Sequence, residues 1–182
     1  MEIKRMREIK GDEFDGYKIG DIISFNLGDE EVEAMAMHKV EGGMVFALVD
    51  CLSEAKPRKK RGFDLNEWLN TELLEEFEGL LRKDMIPFED GSMVRLMSEK
   101  EVFGENYWAA ENEEGEQYEG MKPRRNRICG YGKNGCEGQY AYWWLRSVCS
   151  GPRFCLVYSD GLANNNNASN SLGVRPAFVI RT

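Results

Sequence analysis

Five cysteines (Cys51, Cys129, Cys136, Cys149 and Cys155) and a single histidine, His38, are the side chains best suited to nucleophilic, redox or metal chemistry in this sequence. A thiolate attacks or ligates a soft metal when its pKa is lowered and a second ligand stands close by. No two cysteines are spaced as Cys-x-x-Cys, so neither a zinc knuckle nor a dithiol redox motif is written here. His38 lies in an apolar, alternating stretch and is read as structural, which leaves little from which to build a histidine dyad or triad. An odd number of cysteines argues for reduced thiols rather than a disulfide scaffold. The expectation is therefore a protein that is not an enzyme, with no metal and no cofactor.

A different chemistry is written near the C-terminus. From Ser147 to Thr182 there is no Lys, Glu, Gln, Met or Trp, although 11 lysines, 23 glutamates, 2 glutamines, 9 methionines and 4 tryptophans precede it. The same stretch holds Asn164-Asn165-Asn166-Asn167 and Asn170 among Ser, Gly and Ala, with Arg153, Leu156, Tyr158, Leu162 and Leu172 scattered through it. Its flanks, Trp143 to Ser147 and Gly173 to Phe178, are rich in side chains that pack, so the segment is held at both ends. Exposed, replaceable side chains on a rigid support make a binding face. Aromatic residues and Arg supply contact energy there, while Asn, Ser and Gly supply adaptable hydrogen bonds. Trp143, Trp144, Val157, Val174, Ala177 and Phe178 are the expected support. Arg146 and Arg175 are expected in ion pairs or on carbonyl groups, Gly161 and Gly173 in turns of positive φ, and Pro152 as a loop stiffener.

The elements that must position this face are short. Asp21 to Asn26, Val32 to Val40 and Met44 to Asp50 are apolar or alternating runs separated by acidic and glycine turns, which predicts an antiparallel meander. Leu65, Trp68, Leu69, Leu73, Leu74, Phe77, Leu80 and Leu81 recur at helical spacing, with Asp64 placed to cap and Glu67 to reach back. Ser98 to Glu101 is a second capping box, for a shorter helix ending near Gly104. Tyr107 to Gly120 reads as a loop. Further strands are predicted over Arg127 to Tyr131, Tyr140 to Arg146, Phe154 to Tyr158 and Val174 to Ile180, with Pro176 favouring an edge, a bulge or a strand start. The sum is an α+β fold of antiparallel strands with two helices. Residues 1–16, with Ile3, Met6 and Ile9 three apart, are expected as an N-terminal arm or short helix, and residues 17–182 as a single domain.

The formal charge of −8 opposes general affinity for nucleic acid, and no run is apolar enough for membrane insertion. The basic clusters Lys56 to Arg61 and Arg124 to Arg127 are read as solvated loop faces. The charged N-terminus lacks a secretory signal, which predicts a cytoplasmic chain, with a phage particle or surface display reached only by another route.

Trp144-Leu-Arg-Ser147, Phe154-Cys155-x-Val157, Gly161-x-Ala163, Ala168-Ser169-x-Ser171 and Gly173-Val-Arg-Pro-Ala-Phe178 together resemble the C-terminal signature of bacterial and phage C-type-lectin-like domains. Among these the chain is most similar to the variable proteins of diversity-generating retroelements and to the DUF6273 family. Asp64 to Asn70 and Val94 to Glu99 resemble the helical part of the same family. The resemblance implies a C-type-lectin-like fold and a hypervariable C-terminal region, about residues 147–173, rewritten by a reverse transcriptase that errs at template adenines. An asparagine codon treated in this way yields every residue type except a set that includes Lys, Glu, Gln, Met and Trp. The resemblance thus implies a variable ligand-binding set of Cys149, Gly151, Pro152, Arg153, Leu156, Tyr158, Ser159, Asp160, Leu162, Asn164, Asn165, Asn166, Asn167, Asn170 and Leu172. The fixed scaffold would be Trp143, Trp144, Gly173, Arg175 and Phe178. The target it implies is an unidentified ligand, a protein or surface molecule, with the oligomeric state left open. The Glu-Pro-Asn and Trp-Asn-Asp motifs of calcium-dependent lectins are missing, so neither calcium nor sugar specificity carries over. Two alternatives stand beside this. Cys149 and Cys155 resemble the copper-binding pair of formylglycine-generating oxidases, with the spacing off by one and the following Arg-Tyr-Arg missing. The domain also suits a structural tip of a phage or surface assembly.

Overall fold

The three apolar runs of the N-terminal half form strands because their alternation gives each one a face to bury. In the structure, a computed structural model describing residues 2–4, 16–132 and 139–182, they are β2 (Ile22–Leu27), β3 (Glu30–Val40) and β4 (Gly43–Leu48). Each pairs antiparallel with the next. Ahead of them, β1 (Glu2–Lys4) pairs antiparallel with β2, so the start of the expected arm or helix is a strand, while Met6 and Ile9 lie outside the described residues.

Short strands follow β4: β5 (Lys56–Pro57), β6 (Lys59–Lys60) and β7 (Phe63–Asp64). Asp64 accepts from the Asn66 backbone N–H at 2.9 Å and opens α1 (Leu65–Trp68). The helix runs on through a π-helical turn (Leu69–Leu73) into α2 (Leu74–Glu76). Asn70 sits in the π turn, donates to the carbonyls of Asn66 and Val94 at 3.0 and 2.7 Å, and accepts from the N–H groups of Met93 and Val94 at 2.9 and 3.1 Å. Competing side-chain bonds of this kind widen a helix locally.

The predicted helix does not continue to Leu81. Phe77 turns extended, with ψ of 133°. Glu78 N donates to Asn26 O at 3.1 Å and Gly28 N to Glu76 O at 2.8 Å, so pairing with the end of β2 replaces the next helical turn. A separate α3 (Gly79–Arg82) follows, and Leu80, expected in the core, is 71% exposed. Next come β8 (Met85–Ile86), β9 (Val94–Arg95) and α4 (Glu99–Phe103), which has the predicted capping box between Ser98 and Glu101 and ends on Gly104 at φ +76°.

Arg127 to Tyr131, expected as a strand, supplies only isolated bridges at Gly130 and Tyr131, preceded by a 3-10 turn over Arg124–Arg127. The remaining strands are β10 (Trp143–Val148), β11 (Arg153–Val157), β12 (Ala163–Asn167), β13 (Ser171–Leu172) and β14 (Ala177–Arg181). β14 enters the main sheet beside β4 and also pairs with β8 and β9, so Pro176 stands at the start of a central strand, where its missing N–H costs no ladder bond.

The main sheet is buried on both faces. Phe25, Phe46, Phe77 and Phe178 pack as a group of rings on one side, with centroids 5.2 to 6.0 Å apart, above Leu65, Leu69, Leu73 and Leu81. Val45, Ala47 and Val179 face Met97, Val102, Met121 and Trp143 on the other. The antiparallel sheet β10–β11–β12 draws on both cores: Trp144 and Leu156 belong to the first, Trp143, Leu145, Cys155 and Val157 to the second. The architecture is α+β. Among the described residues, no helix is long and apolar enough to cross a membrane.

Candidate functional site

Four consecutive asparagines are poor strand formers. Asn164 to Asn167 nevertheless form the outer strand of the small sheet, because β11, buried between the two cores, provides a ladder onto which β12 folds back. The register is Leu156 opposite Asn164, Cys155 opposite Asn165, Phe154 opposite Asn166 and Arg153 opposite Asn167. The connecting turn is set locally: Tyr158 N donates to Leu162 O at 2.7 Å, Leu162 N to the Asp160 carboxylate at 3.1 Å, and Gly161 adopts φ +84°. Arg124 holds the turn from below through Nε to Asp160 O at 2.8 Å.

An outer strand leaves backbone groups open to other chains. Here they are met from within. Asn164 Oδ1 accepts from Asn165 N at 2.8 Å, Asn166 Oδ1 accepts from Asn167 N at 2.7 Å, and Asn170 N donates to Asn167 O at 3.1 Å. Arg153 lies along the strand, with Nε on Asn165 Oδ1 at 2.6 Å and a second nitrogen on Asn165 O at 3.4 Å. Trp108 Nε1 reaches Ala163 O at 3.4 Å.

Of the fifteen nominated positions, thirteen are exposed or half-exposed: Gly151, Pro152, Arg153, Tyr158, Ser159, Asp160, Leu162, Asn164, Asn165, Asn166, Asn167, Asn170 and Leu172. Leu156, at 3% exposed, and Cys149, at 8%, are not on the face. Leu156 points into the core that holds Trp144 and Phe178, and Cys149 into the opposite one. Two exposed residues that the sequence reading passed over border the face. Tyr142 stacks on Tyr158 with ring centroids 4.4 Å apart, and Trp108 stands over the start of β12. Their signal was weak: Tyr142 merges into the Trp143-Trp144 run, and Trp108 sits in an acidic loop. That loop is held by Glu99, a fully buried carboxylate accepting from the N–H groups of Tyr107, Trp108 and Ala109 at 2.5 to 3.1 Å.

The nominated scaffold is buried throughout. Trp143 and Trp144 donate their indole N–H groups to Arg127 O and Lys56 O at 2.9 and 3.0 Å. Arg175 donates to Leu48 O at 2.6 Å and Asn126 O at 2.8 Å beside the Trp143 ring, and Arg146 pairs with Glu101 and donates to Leu96 O at 3.1 Å, both in the carbonyl and ion-pair roles expected. Gly173 is required for a different reason than a turn. A Cβ there would stand 2.8 Å from Cys51 Sγ and 2.9 Å from Tyr142 O.

The first basic cluster is also more than a solvated loop. Arg58, only 3% exposed, lies over the Phe154 ring at 4.4 Å, and the backbone N–H groups of Arg58 and Lys59 both donate to Ala168 O. In the second cluster, Arg127 donates to Met121 O at 2.9 Å. His38 is structural: it stacks on Tyr118 and lies 3.2 Å from Glu116.

Cys149 and Cys155 are both free thiols, and Cys136 lies outside the described residues. Burial, joined by the negative charge of Glu99, pushes the Cys155 thiol far above the ordinary range.

An antiparallel α+β scaffold carrying a shallow polar and aromatic face is the class that fold and site define. Residues 91–182, half of the chain and the half that carries the face, match the family described as domain of unknown function DUF6273, and the chain belongs to that family. No curated protein and no solved structure matches it.

Proposed function

We propose that this chain is a non-enzymatic recognition module of C-type-lectin-like build, whose β10–β12 sheet and its turns display a sequence-variable face to a protein or surface molecule. The observation that carries this reading is the asparagine strand. Side chains that contribute almost nothing to either core line an ordered edge, while Trp143, Trp144 and Leu145 of β10 and Cys155, Leu156 and Val157 of β11 in the same sheet are buried. Support and display are largely separate, so most residues of the display can change at little cost to the support. The five residue types missing after Arg146 support retroelement diversification as the source of change. Tyr142, Tyr158, Leu162, Trp108 and Arg153 supply the aromatic, apolar and guanidinium contacts on which protein recognition mostly rests.

Sequencing the surroundings of the gene tests the proposal. The expected result is a reverse transcriptase gene and a near-copy of the 3′ end, with adenines at codons for the thirteen accessible positions and an unchanged sequence at the buried positions 149 and 156. A near-copy with its adenines placed at the codons of Trp143, Trp144 and Phe178, or no near-copy at all, would remove diversification from the reading.

A further inference from the structure

Cys51 and Cys129 lie beneath the margin of the face and take no part in it. Their sulfurs are 3.4 Å apart, and the residues are 2% and 3% exposed. The backbone fixes this approach from both sides. Cys51 N donates to Gly130 O at 2.9 Å, Gly132 N to Cys51 O at 2.8 Å, and Ala141 N to Cys129 O at 2.8 Å. Asp50 adds a carboxylate contact to Gly130 N at 3.0 Å. A disulfide needs its sulfurs at about 2.05 Å, a closure of roughly 1.4 Å shared between two side chains.

We propose that Cys51 and Cys129 form an oxidation site, at which a small neutral peroxide converts the pair into a disulfide joining the end of β4 to the segment before β10. The peroxide O–O bond breaks as one of the two sulfurs gives up two electrons, leaving a sulfenic acid there and releasing water. The other sulfur then attacks that sulfur, the S–S bond forms, the S–O bond breaks, and the hydroxide leaves with the attacking thiol's proton as a second water. Two thiols and one peroxide give one disulfide and two waters.

The surroundings assign the oxidant. Burial pushes the Cys51 thiol up, which keeps it protonated. The hydrogen bond from Cys51 draws Cys129 below an ordinary thiol despite its burial, and the Arg175 guanidinium acts in the same sense. A cavity of about 380 Å³ reaches Cys51 between Tyr131, Gly132 and the acidic residues Glu30, Glu31, Glu33 and Asp50. Those carboxylates repel anionic oxidants such as oxidised glutathione and leave an uncharged peroxide unimpeded. The bond would lie directly under Gly173, whose backbone pairs with Tyr142 and Trp144 at the margin of the face.

The experiment treats the full chain with equimolar hydrogen peroxide or with oxidised glutathione, blocks the remaining thiols, and maps the peptides by mass spectrometry. Peroxide should consume two of the five thiols and yield one peptide pair joining residues 51 and 129, two hydrogens lighter and separated again by dithiothreitol. Glutathione disulfide should yield at least tenfold less of it. Cys51→Ser and Cys129→Ser should each abolish the linked pair, and the wild-type map stands even if a variant folds poorly. A link through Cys136, a link between Cys149 and Cys155, or oxidation that leaves residues 51 and 129 unlinked would overturn the proposal.

Discussion

Glu101 joins three elements through one buried carboxylate. Its carboxylate accepts from Ser98 N at 2.9 Å, Tyr118 OH at 2.9 Å, Arg95 at 3.0 Å and Arg146 at 3.0 Å, tying α4 to β9 and β10. Burial alone would raise its pKa, but the Arg146 hydrogen bond and the charges of Arg146 and Arg95 outweigh that, and the carboxyl is held below the usual range. Glu101→Ala leaves the partly buried Arg146 guanidinium without its carboxylate, while Arg95 keeps Glu89 and Asp90, and should cost about 3 kcal/mol in urea unfolding. A depressed folded pKa gives stability that is complete above the unfolded value of about 4.3 and is lost as pH falls through the folded value. Stability should therefore decline below about pH 4, and Glu101→Gln should make that decline shallower. A second residue pair tests the face: Leu156→Asn should destabilise by about 2–5 kcal/mol as a core loss, Tyr158→Asn by no more than about 0.5 kcal/mol. Spacing in the sequence announced Glu101 as half of a capping box. The two arginines that complete its environment arrive from strands 6 and 45 residues away, which no local pattern encodes.

Elements were legible where local periodicity and tertiary pairing agree. The meander and the capped α4 appear as read, since alternation and caps are decided within a few residues. The leucine-rich helix was legible as far as Glu76, and beyond it the pairing with β2 overrode a helical pattern that continues in the sequence. β12 was not legible at all, since its strand state is imposed by β11 and kept by bonds that its own side chains make across the open edge. Replacing Asn164 and Asn166 together by Ala should free the N–H groups of Asn165 and Asn167. The expected outcome is a loss of about 0.5–1.5 kcal/mol per bond, with self-association that grows with protein concentration in light scattering. Unchanged scattering at millimolar concentration would mean that the side-chain caps do not guard this edge.

At the scale of the whole molecule, the display is bracketed by structure on both sides, β10 before it and β14 after it. A library randomised at ten of the thirteen accessible positions, sparing Asn164, Asn166 and Leu172, should keep most members folded, with Tm values within a few degrees of the parent, whereas Phe178→Ala or Trp144→Ala should cost about 3–5 kcal/mol. Folded fractions measured across the library by protease resistance would decide this. β14 also occupies the middle of the main sheet, where Ala177 pairs with Ala47 about 130 residues earlier. Its position makes the fold one of high contact order, so folding should be slow, and the central sheet cannot close on a nascent chain until residues 177–181 have left the ribosome. Residues 147–173 are thus synthesised before the strand that completes the sheet, and a substitution there that hinders closure leaves the chain exposed to proteolysis.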